Sequence, residues 1–376
     1  MKAIVLQENL ARGLNIVSRA VSPRSTLPVL ANVLLATDEG RLRLSATNLE
    51  MGITCWIGAR IEEEGSTTVP ARTFSDLVNA LTGDQVALSL DVSTQTLNVR
   101  CGPSNTDIKC IDAQEFPPLP AFELDGAIRI NVADFKEMVH QVAFAASTDE
   151  ARPVLQGVLI QVEGEQITLA AADGFRLSVR KANLSQPAAQ SVNVIVPARA
   201  LNELARIISD GERELLMLVP KGRGQVIFRC GEVELVSQII EGTYPDYQNI
   251  LPRSYQTRTL VSTAALLKAC KQAEIFAREG INEARLNIKP ASEPSLPGEV
   301  EVTAFSEETG KSETVIEAAI EGKGLLIAFN VKFLREALEV IKTPNVALEM
   351  NTPQTPGVIR PVGGEDFVHV IMPMRL

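Results

Sequence analysis

The side chains that most often perform catalysis are few and scattered in this sequence. Its two histidines, His140 and His369, do not lie in a cluster with the spacing of metal ligands. The five cysteines are odd in number and contain no Cys-x-x-Cys pair, which indicates free thiols rather than disulfides or a zinc site. No phosphate-binding glycine loop and no hydrolase nucleophile motif is present. The sequence therefore predicts a protein that is not an enzyme and that holds no metal or cofactor.

Two alternatives stay open, an enzyme and a scaffold for other proteins. Acidic residues are abundant, but they lie in runs such as Glu62–Glu64, which are typical of solvated loops. Carboxylates from distant segments can still meet after folding, so an enzyme with its site at a seam between domains is one alternative. A scaffold that binds only other proteins is the other.

The composition is that of a globular protein with more than one core. The chain has 376 residues, of which 45% are hydrophobic and 22% charged, and this length predicts two or three domains. No apolar run approaches the roughly 20 residues of a membrane span, and the first residues lack a signal-peptide core. We therefore expect a cytoplasmic protein with no membrane partner. The net charge of −10 usually counts against a nucleic-acid partner, but it does not describe how the charges are distributed.

One segment of the sequence occurs three times in order. Its copies begin at Val69, Val196 and Phe329, which are 127 and 133 positions apart. Each copy reads as a strand end that runs into a short helix, and Pro70 and Pro197 of the first two copies are tolerated in a first helical turn. Their apolar residues recur at helical spacing: Phe74, Leu77, Val78 and Leu81 in the first copy, and Leu201, Leu204, Ala205 and Ile208 in the second. The pattern predicts three similar domains.

A second helix opens each repeat, and strand-like runs lie between the helices. The apolar faces of these helices are Leu10, Leu14, Val17 and Val21, then Phe135, Val139 and Val142, then Leu266, Cys270 and Ala273. Alternating or apolar runs at 42–46, 166–170 and 299–302 predict strands, and proline-rich seams at 116–120 and 244–252 separate the units. We predict an α+β fold of three repeated domains, each with two helices on antiparallel sheets, over residues 1–120, 128–253 and 257–376.

Basic residues are concentrated on the predicted helices. With their flanks, the six helices carry twelve basic and eight acidic residues, a net +4 in a chain of −10. Arg12 and Arg19 are seven positions apart and are expected on one face, pointing away from Leu10. One position of the repeat is basic in every copy: Arg72, Arg199 and Lys332. This placement suits helices that face phosphate, but Lys and Arg are also good helix formers, so an ordinary solvated face explains the pattern as well.

Two further segments have the character of a binding site. Residues 173–177, Asp-Gly-Phe-Arg-Leu, place a turn directly before an apolar strand. Residues 367–376 form an apolar tail that contains two methionines and runs to the last residue. The tail predicts either a last strand within its own sheet or a soft wall for a partner peptide, a use to which methionine is suited.

Taken in order, five segments resemble the bacterial beta sliding clamp, the beta subunit of DNA polymerase III. They are 25–32 (STLPVLAN), 68–72 (TVPAR), 172–177 (ADGFRL), 244–247 (YPDY) and 372–376 (MPMRL), and together they extend over essentially the whole chain. The resemblance implies a head-to-tail homodimer whose six domains close into a ring with the helices inside. It implies a processivity factor that encircles double-stranded DNA without sequence specificity. The implied protein partners are the replicative polymerase subunit, the clamp loader, repair polymerases and other proteins with a clamp-binding motif.

The resemblance also implies roles for particular residues. A partner-peptide pocket would be formed by Leu155, Ala172, Gly174, Phe175, Arg176, Leu177, Pro245, Ile250, Asn330, Phe333, Val370, Met372, Pro373, Met374 and Arg375. Arg24 matches a basic DNA-contacting loop residue, beside the helical Arg12, Arg19, Arg72, Arg199 and Lys332. The dimer contact would involve Ile108 on one subunit and Ile275 and Phe276 on the other. Four positions depart from the common pattern, Ala172, Phe175, Asn249 and Ile281, and they make the expected pocket more apolar.

Overall fold

Helices occur in pairs along the chain, and a strand leads into each of them. The computed structural model describes residues 1–293, 296–364 and 366–375. Within these residues the helices are α1 (Gln7–Val17), α2 (Ala71–Ala80), α3 (Val132–Val142), α4 (Ala198–Ile207), α5 (Thr263–Ala277) and α6 (Val331–Glu339). The starts of α2, α4 and α6 have the spacing of the repeated segment, so the predicted strand-to-helix junction is confirmed in all three copies.

The strands of the first half are β1 (Lys2–Leu6), β2 (Asn32–Asp38), β3 (Arg41–Thr47), β4 (Met51–Glu63), β5 (Ser66–Pro70), β6 (Gln85–Asp91), β7 (Thr96–Cys101), β8 (Ser104–Lys109), β9 (Ile128–Asn131), β10 (Gly157–Glu163), β11 (Gln166–Ala172) and β12 (Arg176–Asn183). Those of the second half are β13 (Val192–Pro197), β14 (Glu214–Leu218), β15 (Gln225–Cys230), β16 (Val233–Gln238), β17 (Thr257–Ser262), β18 (Glu283–Lys289), β19 (Gly298–Ser306), β20 (Gly310–Gly322), β21 (Leu325–Asn330), β22 (Asn345–Met350), β23 (Gly357–Pro361) and β24 (Phe367–Ile371). The three runs predicted as strands lie in β3, β11 and β19.

The chain forms two compact units, and the middle repeat contributes to both. The first unit is Met1–Ala133 with Arg199–Ile239, and the second is Asp134–Ala198 with Ile240–Leu376. In the first unit a sheet runs β8-β7-β6-β1-β4-β16-β15-β14-β9, with β3 on β4, and β2 between β3 and β5. In the second unit the order is β13-β10-β11-β12-β24-β23-β22-β17-β20-β19-β18-β21. Every strand pair among the described residues is antiparallel, as the α+β prediction requires.

The apolar helix faces are buried as predicted. Leu10, Leu14 and Val17 of α1 are fully buried, and so are Leu266, Cys270 and Ala273 of α5. In the second unit α5 and α6 pack with β18, β19 and β22 in one hydrophobic cluster. Burial of such faces, rather than helix propensity, supplies most of the stability of short helices.

One boundary prediction was wrong. The regular α1 helix ends at Val17, and a 3₁₀ turn over Ser18–Ala20 follows it. Val21 lies beyond this turn and is only half-buried, so it does not extend the apolar face of α1. For the same reason Arg19 does not continue the helical face of Arg12, because the change of pitch at Ser18 ends the 3.6-residue period.

None of the five cysteines, each of which lies within the described ranges, forms a disulfide. Four of them are buried, and burial raises the pKa of the Cys270 thiol to about 12. In the part of the chain that the structure describes, no helix is long and apolar enough to cross a membrane.

Candidate functional site

A tight turn connects β11 to β12 and presents an aromatic side chain to solvent. The carboxylate of Asp173 accepts the backbone N–H groups of Phe175 (2.9 Å) and Arg176 (3.0 Å), which closes the turn. Gly174 has φ +94°, and a Cβ there would lie 2.9 Å from Nη1 of Arg152. Both facts favour glycine, and the resulting turn leaves Phe175 61% exposed.

The side chain of Arg176 points the other way and is almost enclosed. Its Nε donates to Asp173 at 3.0 Å, its Nη1 donates to Glu336, and its Nη2 donates to the carbonyl of Phe144 at 2.9 Å. The guanidinium also stacks on the rings of Phe333 (4.4 Å) and Phe144 (5.2 Å). The Arg176 side chain is only 8% exposed, so it supports the pocket wall more than it forms its surface.

His369, which is fully buried, packs against Phe144, one of the two rings on which Arg176 stacks. The ring of His369 stacks on Phe144 at 5.5 Å, and its Nδ1 shares a 2.6 Å hydrogen bond with the hydroxyl of Ser178. Burial, and secondly the charge of Arg176, lowers the pKa of His369 to about 3. The imidazole is therefore neutral at physiological pH and acts as a packed core group. His140, by contrast, is exposed on α3.

The C-terminal tail begins as a strand inside the sheet, as one of its two sequence interpretations predicted, and it continues beside the Phe175 turn. Residues Phe367–Ile371 form β24, which pairs with β12 and β23 inside the sheet. After this strand the backbone N–H of Met372 donates to the carbonyl of Phe175 (2.8 Å), and that of Met374 donates to Ala328 (2.8 Å). Met372 is 41% exposed, so a methionine side chain stands beside the Phe175 turn. Leu376 lies outside the described residues.

The residues expected around a pocket all belong to the second unit, and several are in mutual contact. Leu177 and Val370 are buried in one hydrophobic cluster, against which Ala172 packs. Five of the expected residues are half-buried: Leu155, Asn330, Phe333, Pro373 and Met374. Six are exposed: Gly174, Phe175, Pro245, Ile250, Met372 and Arg375. Asn330 caps α6 by accepting the N–H of Lys332 at 3.0 Å. The turn, the tail and the start of α6 thus supply mainly apolar side chains.

Sequence reasoning missed three residues that build this region. Arg152 reaches over Gly174 while it pairs with Asp149 at 3.0 Å, and Phe144 and Glu336 hold Arg176. Arg152 carries a weak signal, because it lies three positions before the expected Leu155. Glu336 and Phe144 carry none, since their importance comes from contacts with a residue far away in the sequence.

The basic residues differ in how much of their charge is available. Arg12, Arg24 and Arg199 are exposed, and the Arg72 side chain is 96% exposed with Asp76 at 3.9 Å. Arg72, Arg199 and Lys332 are each the second residue of their helix, as the repeat predicted. Arg19 instead donates to Glu203 at 2.9 Å. Its expected place on an open basic face was wrong, because the 3₁₀ turn directs it toward α4.

The residues expected at a dimer contact are unequally exposed. Ile108 lies in β8, the end strand of the first sheet, but its side chain is buried within its own unit. Ile275 of α5 is 53% exposed, and Phe276 is half-buried against the core of the second unit.

Comparisons with known proteins agree along the whole chain. Three family models of the DNA polymerase III beta subunit match the chain: the N-terminal domain model at residues 1–120, the central domain model at 129–246 and the C-terminal domain model at 248–375. The chain is 33% identical to a beta sliding clamp of Synechococcus elongatus over 380 residues, with 100% of both chains covered. A crystal structure of a DNA polymerase sliding clamp from Bacillus subtilis has a TM-score of 0.94 and 30% identity, with 100% and 99% of the two chains covered. One from Pseudomonas aeruginosa, with ligand, has a TM-score of 0.91 and 27% identity, with both chains fully covered. The chain is therefore a member of the DNA polymerase III beta subunit family, the beta sliding clamps.

Proposed function

We propose that two copies of this chain close head to tail into a ring around duplex DNA and hold a polymerase on its template. The observation that supports this best is the agreement with sliding clamps over all three domains, at a TM-score of 0.94. The family is a scaffold rather than an enzyme, so the protein acts as a non-catalytic processivity factor in replication. Its domains would span residues 1–120, 128–253 and 257–376, and it would work in the cytoplasm.

Two free sheet edges support the proposed ring closure. β8 ends the first sheet, and residues 310–317 of β20 pair only with β19 among the described strands. Exposed edges of this kind are rarely left open, because they template pairing with another chain. A second copy is the partner that could cover both edges at once in a closed ring. Ile108 lies on the first edge, and Ile275 with Phe276 belongs to the helix beside the second.

The exposed arginines fit a duplex that is held by topology rather than by tight contacts. Arg12, Arg24, Arg72 and Arg199 are exposed, and Lys332 has the same position in its helix as Arg72 and Arg199. Contacts between such groups and phosphate are long-range and screened by salt, which permits sliding. The chain's net charge of −10 would keep DNA away from its other surfaces.

The Phe175 turn, the methionine tail and the start of α6 are the proposed docking pocket for partner peptides. Apolar and methionine-bearing surfaces accept varied side chains, which suits one pocket that serves several partners. We propose as partners the replicative polymerase subunit, the clamp loader, repair polymerases and other proteins with a clamp-binding motif. Phe175, Ala172, Asn249 and Ile281 would make these partners rely on apolar contacts more than on hydrogen bonds to side chains.

A primer-extension assay tests this function. The replicative polymerase is given a primed circular template and a competitor trap, with or without this protein and a clamp loader. We expect products of thousands of nucleotides only when the protein, the loader and ATP are all present. Equal product lengths with and without the protein would contradict the proposal, and the heat-denatured protein is the control.

A further inference from the structure

One guanidinium group joins the Phe175 turn to helix α6. Nη1 of Arg176 donates to the carboxylate of Glu336, while Nε donates to Asp173 at 3.0 Å. The other oxygen of Asp173 accepts the backbone N–H of Phe175 at 2.9 Å. A continuous chain of charge-assisted hydrogen bonds therefore runs from α6 to the residue that the turn presents to solvent.

The same guanidinium also fixes the ring that faces the turn from α6. The ring of Phe333 lies 4.4 Å from the Arg176 guanidinium, and the ring of Phe144 lies 5.2 Å from it. Side-chain exposure is 8% for Arg176 and 22% for Glu336. A peptide in the pocket can touch Phe175 and Phe333, but little of Arg176 is left for it to touch.

We propose that Glu336 and Arg176 are positioning residues for partner binding. They hold Phe333 at a fixed separation from Phe175, and the affinity for a partner peptide depends on that separation. Glu336 is outside the set of pocket residues that the family resemblance implies. The inference rests on the proposed role of this pocket, and it adds the ion pair that sets the width of the pocket.

Replacement of Glu336 by Gln tests the role of its charge with little change of shape. The matched control is Glu339→Gln on the same helix, because Glu339 pairs with Arg335 (2.8 Å) and Lys271 (3.1 Å) instead of Arg176. The probe is a fluorescent peptide that contains the clamp-binding segment of the replicative polymerase subunit, titrated with the full-length protein. We expect Glu336→Gln to bind the peptide about tenfold more weakly, and Glu339→Gln within about twofold of the wild type.

Two further readouts separate positioning from a general loss of structure. Met372 contacts the Phe175 turn, and Met374 contacts Ala328, which lies near the start of α6. The ε-methyl NMR signals of both methionines should shift in the free Glu336→Gln protein and stay in place in Glu339→Gln. A double variant, Arg176→Met with Glu336→Gln, should bind about as weakly as Arg176→Met alone, since both residues act through one contact.

The outcomes distinguish this inference from the proposed function. A wild-type protein that does not bind the peptide contradicts the pocket itself. A wild-type protein that binds it, with Glu336→Gln binding equally well, overturns the positioning role alone. Additive losses in the double variant would overturn it as well.

Discussion

Removal of the last five residues, from Met372 onward, is expected to weaken partner binding without unfolding the protein. Among the described residues, the truncation removes two backbone hydrogen bonds, from Met372 to Phe175 and from Met374 to Ala328. At about 0.5–1.5 kcal/mol each, their loss lowers the free energy of unfolding by about 1–3 kcal/mol. The buried strand β24, which ends at Ile371, is left in place. The unfolding midpoint of the second unit should therefore fall by less than about 10 °C.

The effect on binding should be larger than these two hydrogen bonds imply, because the whole wall is removed. Burial of one fully exposed methionine contributes about 1.5–3 kcal/mol, so the parts of Met372 (41% exposed) and Met374 (half-buried) that a peptide would cover contribute about 1–2 kcal/mol together. Loss of both methionines, with Pro373 and Arg375, predicts a fall in affinity of at least about tenfold. Fluorescence anisotropy with the polymerase-subunit peptide measures the affinity, and sedimentation velocity measures the dimer. A truncation that removes only Leu376, which is not among the expected pocket residues, is the control. Unchanged affinity in the longer truncation would refute the assignment of the tail to the pocket.

Three other changes have expected outcomes. Gly322→Ala should lower the free energy of unfolding by more than about 2 kcal/mol, since φ is +100° and the new Cβ would meet the carbonyl oxygen of Gln256 at 2.0 Å. Gly363→Ala, where φ is +72° and the space around the new Cβ is open, should lower it by about 1 kcal/mol. Urea unfolding compares the two variants, and equal losses would contradict the reasoning. The pKa of His369 is lowered from 6.5 to about 3, so between pH 7 and pH 5 the imidazole takes up a proton in the unfolded chain but not in the folded protein. The free energy of unfolding should therefore fall by about 2 kcal/mol as the pH is lowered from 7 to 5. His369→Gln should remove this part of the pH dependence, and an unchanged slope in urea titrations would count against a neutral buried imidazole. The third test measures binding to short linear duplexes and uses the slope of the logarithm of the binding constant against the logarithm of the salt concentration. Arg24→Ala or Arg199→Ala should reduce the size of this slope by about 0.9, while Arg19→Ala should reduce it less, because the charge of Arg19 is already paired with Glu203. Equal reductions would argue against that pairing in solution.

The repeated organisation could be predicted because it depends on local patterns. Apolar spacing located five of the six helices, and α6 was located as the third copy of the repeated segment. The positions of Pro70 and Pro197 located the strand-to-helix junctions of the first two repeats. Each of these signals lies within about a dozen residues of sequence, where helical periodicity is informative.

Strand pairing across repeats could not be predicted. The middle repeat gives β16 to a sheet with β4, and β12 to a sheet with β24. Alternation of buried and exposed residues predicts that a strand exists, but it does not name a partner strand more than a hundred residues away. The division of the chain into two units therefore followed only from the structure.

The same limit applies to the site. The turn at Asp173 and the methionine tail were visible as local motifs, and their contact through Met372 and Phe175 was implied only by the family resemblance. Ion pairs such as Arg19 with Glu203 and Arg176 with Glu336 join residues separated by more than 150 positions. Charge pattern alone placed Arg19 on an open face, because it contains no information on which carboxylate folding brings near.

The most direct test of the central claim is whether the protein is held on DNA by topology. The labelled protein is loaded onto nicked circular duplex DNA by a clamp loader and separated from free protein by gel filtration. The DNA is then cut once with a restriction enzyme. A ring that encircles the duplex should stay on the circle and leave through the ends of the linear product. Retention on the linear product, or no loading by a competent loader, would contradict the account.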